Sequence, residues 1–413
     1  MLRALDGALG AQAARDPAAA RRRAIWLLAA GQTVAWTGLL YSFAALFLSW
    51  EQDLGWDKAD IALGLTAALG VSAVASPRMG GLIDAGHGRW VMSGGLLFGA
   101  LLLAGVAFAR SQPVFVALWA VIGLGQAACL YIPCFSFVTR VLGAEARPAI
   151  TRITLVAGFA SMIAFPTGAL LADALGWRGA VLVFSASLVL LGVPLLYAGA
   201  VLLDAATPDK PPAAPKAENR AAIRAAMRKP QFWLICAAFP MMSLGHGMLL
   251  NHIVPLLVER GLTEPTAVAA ASVIGPMQVA GRVAMMRMER FAGTLTLTLV
   301  SFGGGVTAAL ILLAAGASAP LVFAFAAVQG ASYGLISILQ PVLTAEELGR
   351  AAFGAISGRL AVPYVGAFAC APWLAALLWE EGGYDLTVAA AGGLAAVGFG
   401  CIGAIGLLAA RNR

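Results

Sequence analysis

The chain has 413 residues, of which 61% are apolar and only 11% charged, with a formal net charge of +7. Soluble domains carry roughly 25% charged residues, so these figures exclude a water-soluble globular protein. They equally exclude disorder, which needs low hydrophobicity and high charge.

A membrane-spanning helix needs about 20 mainly apolar residues. Twelve such runs occur in chain order: 24–48, 59–78, 90–109, 114–139, 150–174, 178–201, 231–257, 266–287, 294–315, 320–342, 353–378 and 384–409. Their uniform apolarity excludes barrel strands, which alternate and are about ten residues long. Arg21, Arg22 and Arg23 precede the first run. No small-residue cleavage site follows a short apolar core there, so residues 1–23 are expected as a cytoplasmic tail and not a signal peptide. Residues 202–230 form one long hydrophilic gap containing Asp209-Lys210-Pro211-Pro212 and a basic stretch from Arg220 to Lys229. Such a composition suits a solvated linker with a short amphipathic piece on the membrane. The expected organisation is an all-α polytopic protein: six-helix bundles at 24–201 and 231–409, the linker between them, and a tail at 410–413.

Orientation follows from Lys and Arg. With the amino terminus cytoplasmic, 23 of the 27 cations fall on the cytoplasmic side, leaving Lys58, Arg110, Arg178 and Arg260 outside. This is the positive-inside pattern. It places both termini in the cytoplasm and assigns the basic charge to topology and anionic lipid, not to nucleic acid. Trp26, Trp90 and Trp233 fall near cytoplasmic span ends, and Trp50, Trp56, Trp177 and Trp379 near the other side, as expected for an interfacial belt. Cys129, Cys134, Cys236, Cys370 and Cys401 form no CxxC or ligand spacing, so neither a metal nor a cofactor is indicated.

Between the second and third runs the chain reads Gly80-Gly81-Leu82-Ile83-Asp84-Ala85-Gly86-His87-Gly88-Arg89, and Gly176-Trp177-Arg178 follows the fifth. With the two six-span halves, these stretches resemble the major facilitator superfamily. The family's arginine after the aspartate is here Ala85, which displaces the positive partner to Arg89 or Arg140. The resemblance implies a secondary transporter that works by alternating access, not an enzyme. It also implies a gate in which Gly80, Asp84, Arg89 and Arg140 act together, Asp84 pairing with Arg140 and capping the start of the eleventh span. Leu54-Gly55-Trp56, His252-Ile253-Val254-Pro255 and Glu259-Arg260-Gly261 are similar to the family's monocarboxylate and oxalate/formate branch. The Gly-Pro signature of the drug/proton antiporter branch has only the incomplete counterpart Phe165-Pro166-Thr167-Gly168.

Solute-binding residues of such a protein should be polar, mid-span and on one helical face. The first run offers Gln32, Thr33, Trp36, Thr37 and Tyr41; the fourth Gln126 and Cys129 beside Pro133; the tenth Gln329, Ser332, Tyr333 and Gln340. The eleventh offers Arg359, Pro363, Gly366, Cys370 and Trp373. No Asp or Glu lies at mid-depth in any run, which disfavours strongly cationic solutes. Arg359 is the deepest fixed cation, whereas Arg152 and Arg282 lie nearer cytoplasmic ends and are expected to snorkel. His246, between Gly245 and Gly247, is the proton-coupling candidate. The two glycines are expected to unwind the helix there, with Asn251 and His252 following.

The expected site therefore comprises Tyr41, Gln126, His246, Asn251, Gln329, Tyr333 and Arg359. The expected solute is a small carboxylate or other organic anion, carried with or without protons by a monomer in a bacterial-type inner membrane. The alternative is a proton-antiport exporter of drugs or toxic metabolites.

Overall fold

The computed structural model describes residues 2–209 and 215–411. Lys210, Pro211 and Pro212 of the linker and the last two tail positions lie outside the described residues. Helix is the regular structure throughout, and among the described residues there is no strand.

Eight continuous helical stretches among the described residues are long and apolar enough to cross a membrane. Breaks divide three of them. Lys58–Val106 breaks in the turn Ile83–His87, where Gly86 has φ 91°, a left-handed value open to glycine at little cost. Gln112–Ala205 breaks at the short turn Gly143–Glu145 and again at Gly176. Phe353–Ala409 breaks at Gly382 and Gly383. The result is twelve spans among the described residues.

The first span, Pro17–Leu54, begins earlier than its apolar run. Asp16 accepts a hydrogen bond from the Ala19 N–H at 2.9 Å and Pro17 occupies the first helical turn, so capping sets the start. A separate helix, Leu2–Arg15, precedes it.

The chain divides into two compact units. The first contains Met1–Ile223 together with Arg350–Ala361, the second Arg224–Gly349 and Val362–Arg413. In the first unit the fourth span packs on the second and third, and the first span packs on the fifth and sixth. Small residues permit the close approaches: a Cβ on Gly123 would collide with the Ala68 carbonyl, and one on Gly31 with Leu196. Phe43, Trp50, Phe115, Trp119 and Trp177 interlock edge to face in this unit. Trp50 and Trp177 are thus fully buried and do not sit in an interfacial belt, because edge-to-face packing with ring neighbours outweighs the interfacial preference. Trp26, Trp90, Trp233 and Trp379 remain exposed.

In the second unit the eighth span, Glu264–Met288, lies tightly against the tenth. Gly281, Gly330 and Gly334 each leave no room for a Cβ against the opposing backbone. The tenth span is itself interrupted at Leu335, between Ala319–Gly334 and Ile336–Leu348.

Candidate functional site

Asp84 occupies the turn after the second span and is buried. Its Oδ1 accepts from the Gly354 N–H at 2.9 Å and its Oδ2 from the Ala355 N–H at 2.8 Å. These N–H groups belong to the first turn of the helix beginning at Phe353, where donors have no intrahelical partner and the helix dipole favours an anion. Burial pushes the Asp84 carboxyl above its ordinary pKa, against the lowering by Ala355, Gly354 and Arg140. Gly80, one turn earlier, lets the two backbones touch: a Cβ there would overlap the Gly354 carbonyl. Arg89 has a different partner. It pairs with Asp6 of the leading helix at 3.4 Å, and Asp6 also accepts from the Tyr197 hydroxyl at 2.9 Å.

Two helix irregularities meet at mid-span in the first unit. Pro133 has no N–H to offer the carbonyl four residues back, that of Cys129, and the fourth span breaks at Leu130. The first span carries a π-helical turn at Thr37–Tyr41. Gln32 donates its amide to the Cys129 carbonyl at 2.7 Å, and Gln126 donates to the Leu39 carbonyl at 2.8 Å. Each glutamine thus satisfies a carbonyl at the other helix's irregularity, and both Oε1 atoms are buried without a hydrogen-bond partner. Gln126, expected as a solute ligand, spends its donor on backbone. Rings surround this clasp. Trp36 lies 4.5 Å from Tyr131, and Tyr131 stacks on Phe135 at 4.9 Å and 16°. Tyr41 lies between Trp36 at 6.1 Å and Phe165 at 6.5 Å.

The second unit gathers several of the expected residues. His246 Nδ1 is 3.1 Å from Gln329 Nε2, and its ring stacks on Tyr333 at 3.5 Å and 9°. The Tyr333 and Tyr364 hydroxyls are hydrogen-bonded at 3.0 Å. His246 is buried, while both tyrosines are half-buried. The helix runs unbroken through His246, contrary to the expected unwinding. Gly245 and Gly247 serve packing there: a Cβ on Gly247 would lie 2.7 Å from Ala371, and one on Gly245 3.1 Å from the Ala391 carbonyl. Asn251 stands apart, exposed, donating to the Gly247 carbonyl at 2.7 Å. His252 meets the Pro372 carbonyl at 3.1 Å. Trp373 is exposed.

Arg359 is half-buried and donates to the Ala355 carbonyl at 2.8 Å. Arg282 does not snorkel. It is buried, and its Nε donates at 3.0 Å to the carbonyl of Gly334, where the first part of the tenth span ends. A cation at a helix carboxyl end is favoured by the dipole. The sequence reading places it near a cytoplasmic span end; the signal against snorkelling is that it lies six residues inside the end of its helix, Glu264–Met288. Among the described residues no group of three or more His, Cys, Asp or Glu could hold a metal ion.

The chain matches the Major Facilitator Superfamily over residues 25–360. Human Monocarboxylate transporter 11 is 27% identical over 231 residues, which cover 54% of this chain and 47% of that protein. The chain thus spans about half the length of the curated relative it matches. Two solved structures share the fold at 16% identity. The superfamily transporter FucP in its outward conformation has a TM-score of 0.67, covering 92% of this chain and 98% of FucP. The human organic anion transporter MFSD10 (TETRAN) has a TM-score of 0.70, with 92% and 99% covered. The chain belongs to the Major Facilitator Superfamily and is a multi-pass membrane protein.

Proposed function

We propose that the chain carries a small organic anion, a carboxylate first among them, by alternating access. The observation that carries this reading is Arg359. It is a half-buried cation inside the eleventh span, and among the described residues no carboxylate pairs with it. A fixed charge at membrane depth is expensive and marks a solute path or a partner. The buried Arg282 beside the Tyr333–Gly334 segment, the absence of mid-span acids from the sequence and the partial likeness to a monocarboxylate transporter support the same solute class.

His246 is the proposed proton carrier, set between the Gln329 amide and the Tyr333 ring. Asp84, Gly80 and Arg140 form the proposed cytoplasmic gate, whose two backbone hydrogen bonds break and re-form in each cycle. The cation asymmetry of the loops supports an inner-membrane protein with both termini cytoplasmic.

Reconstituted vesicles test the reading. Arg359→Gln should weaken uptake of organic anions at least tenfold while leaving folding intact, and full retention of affinity would remove Arg359 from the solute path. His246→Gln should abolish the pH dependence of uptake. An unchanged profile would remove His246 from coupling.

A further inference from the structure

The glutamine clasp of the first unit has a consequence for the solute. Trp36 and Tyr41 flank or end the π-helical turn, and Tyr131 directly follows the break at Leu130. The irregular backbone that Gln32 and Gln126 stabilise is therefore the backbone that aims these rings. Of the cluster only Phe135 is buried; Trp36, Tyr41 and Tyr131 are half-buried and Phe165 is exposed, so part of the cluster's surface is uncovered. Trp36 Nε1 is buried without a hydrogen-bond partner. The surrounding walls are neutral: no charged residue occurs in 24–50, 111–139 or 153–172. A neutral wall of partly uncovered rings discriminates by shape and π surface, because aromatic rings prefer stacked or edge-on ring partners.

We propose that Trp36, Tyr41, Tyr131, Phe135 and Phe165 form a subsite for a planar aromatic ring, so that the transported anion is an aromatic carboxylate. Gln32 and Gln126 are positioning residues of this subsite. They hold the Cys129 and Leu39 carbonyls and do not touch the solute. The proposal rests on the organic-anion reading above for its carboxylate and on the ring cluster alone for its aromatic part.

The test uses the full chain in proteoliposomes, with uptake of labelled phenylacetate and competition by cyclohexylacetate, acetate and 2-phenylethanol. Phenylacetate should be preferred over its saturated counterpart by about fivefold to tenfold, the scale of one or two ring contacts. Tyr131→Leu should erase that preference, and Tyr131→Phe should keep it. Gln126→Leu should raise the KM for phenylacetate and leave the affinity for cyclohexylacetate unchanged, whereas a merely structural role would lower uptake of both alike. Equal competition by cyclohexylacetate in the wild type, or a preference surviving Tyr131→Leu, overturns the ring subsite. The wild-type comparison decides even if a variant fails to fold. Strong competition by acetate with none by 2-phenylethanol sinks the ring and keeps the anion. Competition by 2-phenylethanol as strong as that of unlabelled phenylacetate sinks the anion and keeps the ring. No specific uptake or competition by any of the four overturns both.

Discussion

Gln32 and Gln126 lie on different spans, and each donates its side-chain amide to a main-chain carbonyl of the other's helix. The fourth span of the second half has a counterpart in Gln329, which reaches the first span of that half through the His246 ring. In both halves a fourth-span glutamine ties down a first-span position near mid-membrane, once by backbone and once by imidazole.

Removing one amide leaves a buried carbonyl without a donor, at a cost of about 1–3 kcal/mol. Gln32→Leu and Gln126→Leu should each lower the melting temperature by several degrees in detergent. The double variant should lose less than the sum of the two, because contacting pairs couple. Strict additivity in thermal-unfolding scans would show that the two ties act independently.

Gly80 and Gly81 are neighbours with opposite surroundings. A Cβ on Gly80 would meet the Gly354 carbonyl, while around Gly81 nothing lies within 4 Å. Gly80→Ala should loosen the 350–361 segment, read as faster amide exchange there and a reduced uptake rate. Gly81→Ala should behave as wild type. Equal effects from both would mean that the close approach does not govern the segment.

Asp84→Ala removes the acceptor of two backbone donors at once. Hydrogen bonds to charged groups contribute about 1.5–3 kcal/mol each. The variant should lose at least tenfold in uptake rate and speed amide exchange at Gly354 and Ala355, whose N–H groups lose their acceptor. Asp84→Asn keeps one acceptor oxygen and should fall between wild type and alanine. An exchange rate at Gly354 and Ala355 indifferent to residue 84 counts against the gate.

Arg282 combines a charge with a donor to Gly334. Arg282→Lys keeps the charge and loses the planar fork, whereas Arg282→Met loses both. If the charge draws the anion, KM for an organic anion should rise a few-fold in the lysine variant and far more in the methionine variant. Equal losses would assign the residue to holding the end of the helix.

The twelve spans were legible because a run of about 20 apolar residues has few other uses. Their edges were not. The first span starts at Pro17, where the Asp16 cap and not hydropathy sets the boundary. The missing donor to Cys129 could be read from Pro133 by counting back four residues, but the identity of its replacement required knowing that the first and fourth spans meet there. Arg89 and Arg140 were equivalent candidates beside Asp84 in the sequence. Asp6, 83 positions earlier and on a helix outside the apolar runs, occupies Arg89 instead. Trp50 and Trp177 were misplaced for a related reason, since position along a span does not reveal which face a ring turns inward.

The two donors to Asp84 come 270 and 271 residues after it. A ribosome extends the chain at about 5–20 residues per second. The acidic turn therefore waits roughly a quarter of a minute to a minute during biosynthesis before its partners exist. A nascent chain that stops short of Gly354 keeps a hydrated carboxylate at a position built for burial. Completion of the amino-terminal unit is in this sense a late event of translation, scheduled by the carboxy-terminal half of the message.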